Sequence, residues 1–114
     1  MMYMGARMLH HRLHAVIYPA PDLPGEWVAH CLELDLVTQG TGALHACEMM
    51  NEAIRMVAEE RIAMGLPPFE FRSAPPEAWQ RLETAESIAT GHMRFESKPM
   101  LEDVTIAPFV ARAS

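Results

Sequence analysis

The segment Pro19-Ala20-Pro21-Asp22-Leu23-Pro24-Gly25 constrains this chain more than any other feature. Proline fixes φ and removes a backbone donor, so neither a helix nor the interior of a strand can run through three of them. The flanking runs, residues 8–18 and 26–32, are rich in β-branched, aromatic and alternating apolar residues, which predicts a hairpin with a long loop. Side chains alternate between the two faces of a strand. A bend near Asp22 therefore sets Ile17 opposite Trp27, Ala15 opposite Ala29 and Leu13 opposite Cys31, all on one apolar face. The other face carries Tyr18 with Glu26, Val16 with Val28, His14 with His30 and Arg12 with Leu32, a mixed set.

Glu33-Leu34-Asp35 links this hairpin to a third predicted strand, residues 36–39, closed by Gly40. A helix is predicted over 42–64. Leu44, Cys47, Met50, Ile54, Val57 and Ile62 recur at helical spacing, with Ala43, Ala46, Ala53 and Ala58 completing the stripe. Glu48, Glu52, Arg55, Glu59 and Glu60 fall mostly on the opposite side, with Arg55 and Glu59 spaced as an i,i+4 ion pair. Gly65-Leu66-Pro67-Pro68 is a stop signal. Phe69-Glu70-Phe71-Arg72 has the pattern of a short fourth strand. Pro75 and Pro76 then open a second helix reaching residue 90, whose apolar positions are Trp79, Leu82 and Ile88. In the last stretch, 92–114, the run from Val104 to Val110 reads either as an edge strand, Pro108 barring it from a central place, or as a tail that docks on another chain. The expected class is α+β: a small antiparallel sheet of three to four strands, one long helix on one face, and a short second helix. Residues 1–72 form the β-β-β-α domain, and 73–114 a helix and tail that are not an independent domain.

At 114 residues the chain has room for one modest core. Half of its residues are hydrophobic and 21% are charged, the balance of a folded protein rather than a disordered one. No apolar run approaches the roughly 20 residues needed to cross a bilayer, and residues 1–12 contain no apolar leader core; the expected location is the cytoplasm. The formal net charge of −6 suits a basic protein partner better than nucleic acid, whose binding depends on Lys and Arg displacing counterions. The two cysteines, Cys31 and Cys47, read as buried small hydrophobes rather than a disulfide.

The run Trp27-Val28-Ala29-His30-Cys31-Leu32-Glu33-Leu34-Asp35-Leu36-Val37-Thr38-Gln39-Gly40 closely resembles the HicB-like antitoxin domain. In that family an aromatic-led second strand carrying an Ala runs through a short link into a Thr-Gln-Gly turn. Ala46 and Ala53, seven residues apart on the next helix, match the family's paired helix alanines. The resemblance covers about residues 8–70. It implies a reduced ribonuclease-H-like, β-β-β-α-β fold that neutralises a small basic RNA-cleaving toxin of the HicA type, or an orphan homologue that self-associates. Two departures stand out. The family's helix-capping Thr and the Glu before the first alanine are replaced by Gly42 and His45, which leaves Thr41 to cap the helix. The C-terminal DNA-binding module common in the family is not recognisable in 73–114, which argues against operator binding.

No constellation in the sequence carries catalytic chemistry. Ribonuclease-H-like catalysis needs several carboxylates converging on two metal ions, whereas Glu33, Asp35 and Glu26 read as turn residues, so the chain is not expected to be an enzyme. Gly40-Thr41-Gly42 lacks the lysine of a phosphate loop, and no cofactor is implied. His10 and His14 stand about 13 Å apart along a strand, too far to share an ion. His14 and His30, as cross-strand neighbours about 5 Å apart, have no third ligand, so no metal site is assigned. The alternative to an antitoxin is a small-molecule or metal-binding module on this His14/His30 face with Glu26. Because one long helix covers only one side of the sheet, His14, Val16, Tyr18, Val28 and His30 are the candidate partner-binding face. The structural alternative is that the Trp79 helix or the tail folds over it.

Overall fold

The computed structural model describes residues 7–88, 90–97 and 100–111. The leader reading of the first six residues, and the parts of the second helix and tail at 89, 98–99 and 112–114, lie outside the described residues. The chain runs β1 (Arg7–Pro19), β2 (Trp27–Cys31), β3 (Leu36–Gly40), α1 (Ala43–Ala63), α2 (Pro76–Gln80), a 3-10 turn (Arg81–Thr84), β4 (Glu86–Ser87), β5 (Gly91–Ser97) and β6 (Met100–Val110). This is the α+β class expected, with one long and one short helix. The sheet is larger, with six strands in the order β3-β2-β1-β6-β4 and β5 also on β6. It is also mixed, because β6 runs parallel to β1 from Arg7↔Met100 to Ile17↔Val110. Residues beyond 72 thus supply three strands to the same sheet.

The hairpin forms across the proline segment, with Pro19 opposite Trp27 and Ala15 opposite Cys31. The pairing is two residues from the expected one, and every side chain keeps its expected face. On one face Leu13, Ala15, Ile17, Ala29 and Cys31 join Val104, Ile106, Met93 and Phe95 under α1. The helix presents Ala46, Met50, Ile54 and Ala58 to them, an i,i+4 row that is fully buried. Leu44 is not in that core: it is 76% exposed, since it lies two residues, or about 200°, round the helix from Ala46. Arg55 does not pair with Glu59 but sets its guanidinium 5.9 Å from the centre of the Phe95 ring.

The two ends of α1 differ. At the C-terminus Gly65 takes φ +74°; its N–H donates to Ile62 O (3.0 Å) and that of Leu66 to Arg61 O (2.9 Å), a complete Schellman motif. At the N-terminus the cap residue is Gly42, without a side-chain cap. Thr41 does not cap. Its own N–H donates to His45 Nδ1 at 2.9 Å, a bond one residue outside the one that a capping box makes to the N-cap N–H. Gly42→Ser supplies the missing hydroxyl acceptor where a Cβ meets nothing within 4 Å. It is expected to stabilise the fold by a few tenths of a kcal/mol, read as a rise of a degree or two in melting temperature.

Two expected elements are absent, for identifiable reasons. Phe69–Phe71 is not a strand: Phe69 turns onto the His11 ring (centroids 4.8 Å apart) and Phe71 lies under Arg61 (4.7 Å). The second helix stops at Thr84 rather than near 90, because Glu86 and Ser87 pair with Val110 and Phe109 of β6. β6 is also not an edge strand, although it contains Pro108. The Pro108 carbonyl accepts from Ile88 N–H at 3.0 Å, so that residue's backbone polar groups face away from β1. They fall in the gap between β5, which pairs with Met100–Ile106, and β4, which pairs with Phe109–Val110. The proline therefore costs no ladder bond to β1. No helix among the described residues is long and apolar enough to cross a membrane.

Candidate functional site

The sheet face singled out from the sequence is covered by the chain itself. Ala74 N–H donates to Leu32 O (2.7 Å), and Trp79 Nε1–H donates to Ser73 Oγ (3.0 Å). These bonds hold α2 against the sheet, where Val16 and Leu32 pack with Ala74, Ala78 and Ala111, flanked by Tyr18, Trp79, Leu82 and Ala85. Val16 is 1% exposed, Val28 and His30 are also buried, and the half-buried Tyr18 ring carries the Arg81 guanidinium at 4.1 Å. The expectation of an open partner face at His14, Val16, Tyr18, Val28 and His30 is corrected accordingly: the short helix packs on Val16 and Tyr18 and sets Trp79 on the His14 ring, while Val28 and His30 are buried, so that apolar area left by one long helix on the far side is removed from water.

The two histidines of that face are not opposite each other. His30 faces Val16, while the His14 carbonyl accepts from Leu32 N–H at 2.9 Å. Each has its own carboxylate from the Glu33-Leu34-Asp35 link. Glu33 Oε1 accepts from the His14 backbone N–H at 2.7 Å, and Glu33 Oε2 lies 2.5 Å from His14 Nδ1. Asp35 adopts φ +50°, a left-handed conformation that short polar residues tolerate, and this turns its Oδ1 to 2.7 Å from His30 Nε2. The His14 ring is further held between Phe109 (centroids 5.9 Å apart, nearly parallel) and Trp79 (6.0 Å). Sequence distance hid two more such pairs. His11 Nε2 lies 2.6 Å from Glu102 Oε1, the carboxylate being buried on the α1 face. Asp103 stands between His10 Nδ1 (3.4 Å) and Arg94 Nη2 (3.5 Å).

These pairs are separate. Glu33 and Asp35, the acids nearest to a nuclease arrangement, are each directed at a histidine, and among the described residues no three His, Cys, Asp or Glu side chains form a group able to hold a metal ion. A shallow dent of about 470 Å³, lined by Ala74, Pro76, Trp79, Gln80 and Glu83, opens on the outer side of α2. Cys31 is fully buried, and desolvation pushes its thiol up to about 12; burial also raises the half-buried Cys47 thiol. Neither is an activated nucleophile.

Comparison with protein-family models, with curated proteins and with solved structures finds no match.

Two other surfaces are exposed. On the outward side of α1, Met49 and Met56 stand clear of the core, Met56 being 61% exposed. They lie one heptad apart among Glu48, Glu52, Glu59 and Glu60, all exposed. The spacing of those acids was legible in the sequence. The methionines between them were not separable from core methionines such as Met50 until α1 was placed. The second surface is the free side of β3, which among the described residues pairs only with β2.

Proposed function

We propose that this chain is a HicB-like antitoxin or an orphan homologue, acting in the cytoplasm by protein–protein binding and not by catalysis. It neutralises a small basic HicA-type RNA-cleaving toxin, self-associates, or does both. The outward face of α1 carries this reading. Two adaptable methionines ringed by four glutamates on a chain of net charge −6 combine apolar contact with long-range attraction for a basic protein.

The residues behind the family resemblance support the same reading, because their identities have a packing reason. A Cβ at Gly40 would meet Ala46 N at 2.4 Å. The glycine of the Thr-Gln-Gly turn is therefore the residue whose missing side chain lets β3 touch the backbone of α1 at Ala46. Thr38 Oγ1, from the same turn, donates to Ala46 O at 3.2 Å.

Co-expression with the small basic protein encoded in the adjacent reading frame tests the proposal. Growth arrested by that protein is expected to recover when this chain is present, and the two should co-purify. Glu52→Lys with Glu59→Lys, both on the exposed helix face, should weaken the complex by roughly tenfold or more, each tenfold being 1.4 kcal/mol. A neighbouring frame that encodes no such protein, or a toxin whose arrest this chain does not relieve, would overturn the antitoxin role.

A further inference from the structure

We propose that β3 is the surface through which two copies of this chain pair, edge to edge and antiparallel about Thr38, into one continuous sheet. The proposal rests on the self-association half of the reading above and is independent of the toxin.

An exposed strand edge is a row of unpaired backbone donors and acceptors, and soluble proteins guard such rows with charge, proline, bulges or very short strands. The two ends of this sheet differ in that respect. The far side is guarded: β4 has only two residues, Glu86 and Ser87, and β5 points His92, Arg94 and Glu96 outward. Leu36-Val37-Thr38-Gln39-Gly40 has no charge, no proline and no bulge. Among the described residues its backbone hydrogen bonds go only to β2. Two exposed apolar side chains flank it. Val37 is 58% exposed on the α2 side of the sheet, and Leu44, four residues past the end of the strand, is 76% exposed at the start of α1.

Electrostatics selects the occupant. Each copy carries −6, so two copies repel over most of their surfaces and can meet closely only where charge is missing. The acidic outer face of α1 suits a basic partner, and the neutral β3 edge suits a second copy. A twofold axis through Thr38 is also self-consistent. It sets Val37 opposite Gln39 of the second copy and Leu36 opposite Gly40. The nearest acid, Asp35, falls opposite Thr41 rather than another carboxylate, and it is already engaged by His30. An axis perpendicular to the sheet leaves both α1 helices on the same side, with the two Val37 side chains as diagonal neighbours on the reverse face.

Sedimentation over a dilution series, comparing the wild-type chain with Val37→Lys/Gln39→Lys, tests this. Both positions are exposed and on one face of the edge, so the variant keeps the monomer fold, which circular dichroism checks. It gathers four ammonium groups round the axis. The wild type is expected to be a dimer whose amides at 36–40 exchange more slowly as concentration rises. The variant should dissociate roughly tenfold more readily or worse, since like charges directly opposed across strands are destabilising. A wild type that stays monomeric overturns self-association itself. A dimer that survives the double lysine, or one whose β3 amides show no concentration-dependent protection, overturns the β3 edge and leaves self-association standing.

Discussion

Gly40→Ala is expected to destabilise the fold by about 3 kcal/mol, the upper end of the overpacking range, and to lower its melting temperature by roughly 10 °C. The cause is steric and local. A Cβ there would sit 2.4 Å from Ala46 N, 2.7 Å from His45 C and 2.8 Å from Ala46 Cα. All three are backbone atoms of the first turns of α1, so no side-chain rotation relieves the clash. Either the end of β3 or the start of α1 must move. Movement at that point breaks the Thr38 Oγ1–Ala46 O bond and strains the Ala46 N–Gly42 O bond that closes the first helical turn. Gly42→Ser, two residues away, meets empty space and serves as the steric control. Denaturant melts of the two variants decide the matter: a Gly40→Ala protein within about 0.5 kcal/mol of wild type, the ordinary range for surface changes, would show that β3 and α1 are not in contact there.

The same contact shows what the sequence made legible. The alternation of residues 8–18 and 26–32 assigned every side chain of the hairpin to its correct face, but it cannot tell a pairing from one displaced by two residues, because an even shift leaves both faces unchanged. The loop settles the register. Ala20 N–H donates to Glu26 O (2.8 Å) and Glu26 N–H to Leu23 O (3.0 Å), closing the turn with Pro19 opposite Trp27 instead of Ile17. The spacing of the helical stripe likewise located α1, while the exposure of Leu44 and Met56 depended on which arc met the sheet.

The C-terminal third was less legible because its structure depends on partners far away in sequence. Pro108 argues against an inner strand only if its missing N–H faces a neighbour. Whether it does is set by the break between β4 and β5, which no local pattern reveals. The covering of the Val16 face is similar. Trp79 and Leu82 make a thin apolar stripe, which specifies a short amphipathic turn without saying which surface it meets. The candidate site suffers most from this. His14 with Glu33 and His11 with Glu102 are 19 and 91 residues apart, and no spacing rule links them. The charges of α1, by contrast, followed directly from helical periodicity, and they carry the binding proposal.

Raising the pH is expected to destabilise this protein in a window set by Cys31. The thiol is fully buried beneath α1, and desolvation lifts it from 9.0 to about 12, with the neighbouring Glu33 carboxylate adding in the same direction. A group whose folded value is raised favours the folded state while it remains protonated. Its contribution is complete below pH 9, where both states hold the proton, and is lost progressively as pH climbs from about 9 to about 12. A displacement of three units is worth about 4 kcal/mol, a large share of the stability of a domain this size. Cys31→Ala removes the titrating group at the cost of about 1 kcal/mol of buried contact. The variant should therefore be slightly less stable than wild type at pH 7 and more stable above about pH 10, so that the two stability–pH curves cross. Cys47→Ala, at a half-buried position whose thiol is also raised by burial, should flatten the alkaline limb far less. Urea melts of all three proteins across this range measure the effect. Parallel curves for wild type and Cys31→Ala would mean that the thiolate of Cys31 finds solvent in the folded state, and that the β2–α1 seam opens well before the chain unfolds.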